Sequence, residues 1–427
     1  HGRAAAGQEA RDGEQADEGA SGDGDEQQPE PRREHRQVAP RRFEKATQSP
    51  GDDDIEREDD DPGGDAQVEQ RRGRRDVVLR GTGRFGMPAQ VYLDYQSSKP
   101  VDPRVVDAMR PWFTERFGNP SSLHLDGDEA TEALEKSRER VAQFIGANTD
   151  EIIFTSGATE SNNLAIIGYV TRNRKRGDHI VIAESEHISV HNIAKAIEKQ
   201  GFKVSKVGVD QHGRVSVEKL RKKIIDTTIL VSIGWASSEI GTVQPMQEIA
   251  DVLHGRGIAL HSDAVAAEGL VPIDVRKVPI DLLTLSANDI YGPKGLGALY
   301  IRRNVNIAPI MPGGGQERGL RSGTEDMPAI VGMAAAADIM ASEMPAEVLR
   351  LAQYRDRLIE GVLGRIPKSH LNGHPRERLP NNAHFRFDAI EGESLLLSLK
   401  DKGIAASTGS ACSSKTNALP RPVSAGR

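Results

Sequence analysis

The sequence predicts an α/β fold, a mostly parallel sheet covered by helices, followed by a smaller α+β region. Two observations and the rule that links them predict it. From Val91 onward, short β-rich runs alternate with stretches whose apolar residues recur at helical spacing. Strands joined by such crossovers form βαβ units, and their sheet is covered on both faces. In the last third the alternation stops, and one long helical stretch leads into a short strand and another helix.

In order, helical spacing covers Pro103 to Phe117 and Asp126 to Phe144, the second with acidic residues in its first turn. Strands are expected at Ile152-Ile153-Phe154, His179 to Ala183, Phe202 to Val207, Ile229 to Ile233, Ile258 to His261 and Leu282 to Leu285. Helices near 159–175, 188–200, 216–225 and 246–255 separate most of them. A helix over 327–365 precedes a strand at Asn382 to Phe387 and a helix at 391–401. No internal repeat is present.

Composition divides the 427 residues unevenly. Residues 1–86 are dominated by Gly, Asp, Glu, Gln and Arg, with runs such as Asp52-Asp53-Asp54. So little apolar surface cannot offset the entropy of folding, so this segment is expected to be a disordered, charged extension outside the functional unit. The net charge of −7 argues against a nucleic-acid surface, and the basic stretch Arg71 to Arg84 reads as a solvated arm. No apolar run approaches the ~20 residues that span a bilayer, and the N-terminus has neither a signal-peptide core nor a transit-peptide composition. We therefore expect a cytoplasmic protein with no nucleic-acid or membrane partner. Cys412 is the only cysteine, which excludes an intrachain disulfide and an all-thiolate metal site.

Ligands in open α/β sheets sit beyond the carboxyl ends of the strands, so the residues following each run carry the functional reading. Thr155-Ser156-Gly157-Ala158-Thr159-Glu160 opens a helix, and small residues there suit either a phosphate cradle or an ordinary N-cap. His187 follows the second strand, where it would stack on a flat ligand, move protons, or simply sit satisfied at the surface. Asp263 ends a buried strand and needs a cation or several hydrogen bonds, unless it caps a helix. Ser286 to Gly295 follows the last strand, and the Gly-rich stretch Gly313 to Thr324 is a flexible, anion-friendly loop. Cys412 lies among small polar residues in Ala406 to Ser414, a setting that favours a reactive, exposed thiol over a packing one.

These pieces, in this order, resemble the NifS/IscS-type cysteine desulfurases of the class V aminotransferase family. The resemblance runs through Val91-Tyr92-Leu93-Asp94-Tyr95, Phe117 to His124, Thr155 to Asn163, Ser286 to Gly295, Gly313 to Thr324, Glu391-Gly392-Glu393-Ser394 and Thr408 to Ser414. It implies fold type I of the pyridoxal 5'-phosphate (PLP)-dependent transferases, with a large cofactor-type α/β domain at 87–330 and a small domain at 331–427. It also implies a homodimer acting on L-cysteine, whose sulfur passes as a Cys412 persulfide to an iron–sulfur scaffold protein. Carried over by position, Ala158, Thr159 and Ser286 would hold the phosphate, with Thr324 reaching it from the other subunit. His187 would stack on the ring and Asp263 would pair with its nitrogen.

The chain departs from the family pattern in places. Where the family reads Ser-x-His-Lys, this chain reads Ser286-Ala287-Asn288-Asp289, so the Schiff-base lysine is replaced by Asp289 and its preceding histidine by Asn288. Ser238 replaces an amide, and Ala266 a glutamine, that face the phenolic oxygen of PLP. The sequence after Thr416 also differs and lacks an arginine expected to clamp the substrate carboxylate, so we expect a truncated C-terminus and an incomplete small domain. A carboxylate cannot form an imine. Lys294 is the nearest alternative amine in sequence, though a turn or surface role suits it better. Three functions follow: a cysteine desulfurase, a catalytically impaired paralogue serving as dimeric scaffold or thiol donor, or another PLP β-lyase. In the second, Cys412, with Asp289 beside it, would ligate a shared iron–sulfur cluster. Arg321-Ser322-Gly323-Thr324 and the short Ser-Ala-Cys loop favour the iron–sulfur group over selenocysteine lyases.

Overall fold

A computed structural model describes residues 90–409. The extension at 1–86 and Cys412 lie outside the described residues. The main sheet has seven strands: β2 (Ile152–Thr155), β3 (His179–Ala183), β4 (Lys203–Val207), β5 (Thr228–Ser232), β6 (Ala259–Asp263), β7 (Leu282–Ser286) and β8 (Gly297–Ile301). A short β1 (Val91–Tyr92) precedes it. Strand order is β2-β8-β7-β6-β5-β3-β4. Every neighbouring pair is parallel except the two made by β8, which runs antiparallel to both β2 and β7.

The sequence reading did not anticipate β8, because its Gly297-Ala298 start reads as the continuation of a turn. Gly297 is required there. A Cβ at Gly297 would come 2.7 Å from the Cα of Gly157, so only hydrogen lets β8 lie against the turn that ends β2. Since β8 reverses direction twice over, β2 still points the same way as β3, β5, β6 and β7. All of their carboxyl ends open on one edge.

Helices α1 (Pro103–Met109), α2 (Pro111–Thr114) and α3 (Leu125–Ile145) precede β2, so the single helix expected over 103–117 is broken at Arg110 by Pro111. Gly146, with φ of 72°, stops α3 in the left-handed conformation. Helices α4 (Ala158–Asn173), α5 (Ile188–Glu198), α6 (Val217–Lys223) and α7 (Met246–Leu253) follow, placed as the periodicity predicts. The sheet is covered on both faces by two apolar clusters. One contains Val181, Val231, Leu283 and Met333, the other Ile180, Leu230, Leu282 and Leu164. Adjacent residues of one strand thus enter opposite clusters, as the two-residue strand period requires.

The long helix α8 (Met327–Arg365) buries its first half against α3. By length and composition it would cross a membrane, but 56% of its apolar window is buried inside the fold, which marks a core helix. Beyond it, β9 (Ser369–Leu371) pairs with β10 (Phe385–Phe387), and α9 (Gly392–Asp401) leads to β11 (Ile404–Ala405). Strand β11 pairs in parallel with β1, and Ser407 Oγ donates to Asp94 Oδ1 at 2.8 Å. The segment leading toward residue 409 is thereby fastened to the first of the described residues.

Candidate active site

The carboxyl edge gathers side chains that the sequence keeps far apart, Asn162 and Asp263 by 101 residues and Glu160 and Arg321 by 161. Asp263 ends β6 and is half-buried, and Val265 N donates to its Oδ1 at 3.1 Å. Asn162, one turn into α4, donates from Nδ2 to Asp263 Oδ2 at 2.8 Å and to Ser189 Oγ at 3.1 Å. Ser189 Oγ lies 2.8 Å from His187 Nδ1, and Ser189 N donates to that nitrogen at 3.2 Å, so His187 caps α5 with its ring fixed. A continuous polar line therefore runs from β6 through α4 to the start of α5. His187 and Asp263 lie together as expected. Sequence reasoning missed Asn162 and Ser189; the only signal was Asn162's helical spacing from the Thr159 turn.

Burial pushes the Asp263 carboxyl above its ordinary range. Its neighbour Glu186 has one oxygen, Oε1, accepting from Gly234 N at 2.7 Å, while Oε2 is sealed from solvent with no partner among the described residues. Burial drives Glu186 up to about 8. Beneath them, His261 bridges Ser232 Oγ at 2.8 Å and Thr284 Oγ1 at 3.1 Å, tying β5, β6 and β7. Desolvation lowers His261 to about 3, so it is a neutral core histidine.

The turn at the start of α4 forms the second part. Gly157 has φ of 139°, and a Cβ there would meet nothing within 4 Å. The amides of Ala158 and Thr159 open a 16-residue helix whose first turn has no intrahelical acceptors and whose dipole favours an anion. Glu160 Oε2 accepts from Ser156 N at 2.7 Å and Oε1 from Arg321 Nε at 2.9 Å, which stitches the Gly313–Thr324 loop to this turn. The loop is anchored more deeply by Glu317. It receives both terminal nitrogens of Arg138 at 2.7 and 2.8 Å and Phe154 N at 2.7 Å. Thr324, at the loop's end, is exposed.

Ser286 ends β7, and its amide donates to Glu268 Oε1 at 2.8 Å. Glu268 was not anticipated. It is 1% exposed, its Oε2 has no partner among the described residues, and burial raises its carboxyl well above the usual range. Asn288 and Asp289 follow in a 3-10 turn that Tyr291 closes at φ of 64°. Ser238 sits on the loop after β5, which Asn382 Nδ2 holds through Ser238 O at 3.2 Å and Glu239 O at 3.0 Å.

This edge fits a phosphorylated, cationic ring. Asp263 is a carboxylate whose charge burial opposes, the situation that a protonated ring nitrogen reverses. The helix opening beside it offers amides and open space to a phosphate. Asn162 Oδ1 is a further buried oxygen without a described partner.

Comparison with known proteins agrees. The family model described as aminotransferase class-V matches residues 91–423. Cysteine desulfurase IscS 1 of Archaeoglobus fulgidus is 55% identical over 325 residues, covering 76% of this chain and 85% of that protein. The solved structure of a NifS-like protein superposes with a TM-score of 0.72 at 38% identity, over 74% of this chain and 87% of its own. A structure titled SspA in complex with cysteine gives 0.68 at 34% identity, over 76% and 91%. PLP is the cofactor expected of this family. By fold, site and sequence, this chain belongs to the class V aminotransferase family, among the NifS/IscS-type cysteine desulfurases.

Proposed function

We propose that this protein mobilises sulfur from L-cysteine, carries it as a persulfide on Cys412, and delivers it to a scaffold protein for iron–sulfur cluster assembly. The observation that carries this reading is the hydrogen-bonded line Asp263–Asn162–Ser189–His187 beside the open first turn of α4. PLP, when bound, supplies the electron sink that weakens bonds at the substrate's amino-bearing carbon. Asp263 would hold the proton on the ring nitrogen, and Asn162 would keep that carboxylate aimed. His187, locked by Ser189, would cover the ring. The Ala158 and Thr159 amides and the Ser286 hydroxyl would hold the phosphate, while Asn288 and Ser238 line the site. Thr324, exposed here, would complete the phosphate site of a partner copy.

The same reading makes the protein a cytoplasmic homodimer, with 87–330 as cofactor domain and 331–427 as small domain. Phe117, Leu123 and Leu125 lie exposed within nine residues of chain, and a contiguous apolar patch formed by such side chains would suit the face where two copies meet. One observation favours a second reading. Asp289 cannot condense with an aldehyde, which suits a catalytically impaired paralogue that offers Cys412 as thiol donor or cluster ligand.

The test is alanine and sulfide release from L-cysteine by the full chain supplied with PLP, beside Cys412→Ser. Alanine production that gives protein-bound sulfur only with Cys412 supports the proposal. No alanine, with cluster yield on a scaffold protein still dependent on Cys412, selects the second reading.

A further inference from the structure

The turn that should carry the amine carries Asp289, but the fold places another amine against it. Lys99 is 5% exposed. Its Nζ donates to the backbone oxygen of Asp289 and stands 5.4 Å from the centroid of the Tyr291 ring. Its backbone is fastened to the same turn. Lys99 N donates to Asn288 Oδ1 at 3.5 Å, and Lys294 Nζ donates to Lys99 O at 2.9 Å. Asn288 and Asp289 are the two positions where this turn departs from the family pattern, and one buried lysine from the far end of the chain meets both.

A buried ammonium is expensive unless charges or acceptors surround it. Here they do: the charge of Lys99 acts on Glu268, whose Oε1 accepts from the amide of Ser286. Lys99 therefore lies within electrostatic reach of the proposed phosphate wall as well as of the turn. Lys294 is exposed and spends its ammonium on the Lys99 backbone, so it supports this amine without replacing it.

We propose that Lys99, and not a residue of the 286–295 turn, is the amine of this pocket and condenses with the aldehyde of PLP. The ammonium, whose observed contact is with the backbone oxygen of Asp289, first gives one proton to that residue's carboxylate. The Nζ lone pair then forms the C–N bond as the carbonyl opens. The two remaining N–H hydrogens leave with the carbonyl oxygen as water, giving the imine. No oxidant or reductant is involved. Lysine suits the task because its flexible stem lets the amine leave one acceptor for another, and its pKa responds to burial.

This inference rests on the PLP reading of the pocket, and one experiment separates the two. The full chain is incubated with PLP, reduced with borohydride, digested, and the modified peptide located by mass spectrometry. The expected result is a phosphopyridoxyl group on Lys99, lost in Lys99→Arg and still on Lys99 in Lys294→Arg. The wild-type map stands even if Lys99→Arg fails to fold. An adduct on Lys294 or any other lysine overturns the assignment. Retained PLP with no lysyl adduct overturns Lys99 and spares the pocket. No retention overturns both.

Discussion

The two walls of the proposed PLP site are built differently. The ring wall joins Asp263, Asn162, Ser189 and His187 by short side-chain hydrogen bonds across three elements, and each residue orients the next. The amine wall is a 3-10 turn in which two family positions have changed, and its nearest described amine arrives from residue 99. The ring wall offers a half-buried carboxylate and an open helix start, groups that suit a cation and an anion. The amine wall has exchanged its reactive group for an acid. On the proposed reading, binding and covalent capture are separable properties of one site, held by different stretches of chain.

The largest expected effect tests what anchors the phosphate side. Arg138 and Glu317 form a buried pair at 2.7 Å, and Arg138→Met leaves Glu317 charged without its partner. Loss of one member of such a pair costs about 3–5 kcal/mol. Urea unfolding should show it, and adding Glu317→Gln should recover part of the loss. An unchanged midpoint would mean that the Arg138 pair adds nothing to the hold that Arg321–Glu160 and the Phe154 amide already have on the loop.

Next, Asp263→Ala should weaken PLP binding by about 2–5 kcal/mol, the usual consequence of truncating a buried charge pair. Equilibrium titration measures this. Equal affinity in the variant would show that the ring nitrogen does not meet β6, and the contrast between the walls would dissolve.

The pH dependence of stability sharpens the ring wall further. Glu186 titrates near 8 in the folded chain against an ordinary 4.5, because burial disfavours its charge. Below pH 4.5 both states are protonated and the favourable contribution is complete. Between about pH 4.5 and 8 the unfolded chain releases this proton and the folded one keeps it, so stability falls as pH rises, by a few kcal/mol in total. Glu186→Gln should flatten that slope in denaturation curves taken at several pH values. A parallel slope in both proteins would assign the effect elsewhere.

The smallest effect is expected from Asn162→Ala, which removes the link between Asp263 and Ser189. A hydrogen bond to a charged group is worth about 1.5–3 kcal/mol, and an exchange for water recovers part of it, so PLP affinity should fall roughly tenfold. A loss as large as that of Asp263→Ala would mean that Asn162 itself contacts the ring.

Much of the fold was legible along the chain. Strands β2 to β7 and helices α3 to α8 announced themselves through apolar periodicity, which depends only on local spacing. Strand β8 did not, because its glycine start resembles a turn and its role is to lie between β2 and β7. Asp263, His187 and the Ala158–Thr159 turn were singled out because they follow strand ends, and the fold links Asp263 and His187 through Asn162 and Ser189. Asn162 and Ser189 were not, since nothing in either neighbourhood distinguishes a bridging amide or hydroxyl from an ordinary helical one. Glu268 was hidden for another reason: burial, not sequence, makes its carboxyl unusual.

By itself the sequence determined that Asp289 stands where the family pattern places a lysine, that a single cysteine is present, and that α/β units precede it. Only the tertiary structure decided which amine lies against the vacated position. Lys99 and Asp289 are separated by 190 residues. Their meeting depends on how the strip after β1 packs against the end of β7. Side-chain chemistry is written locally, but proximity is a property of packing.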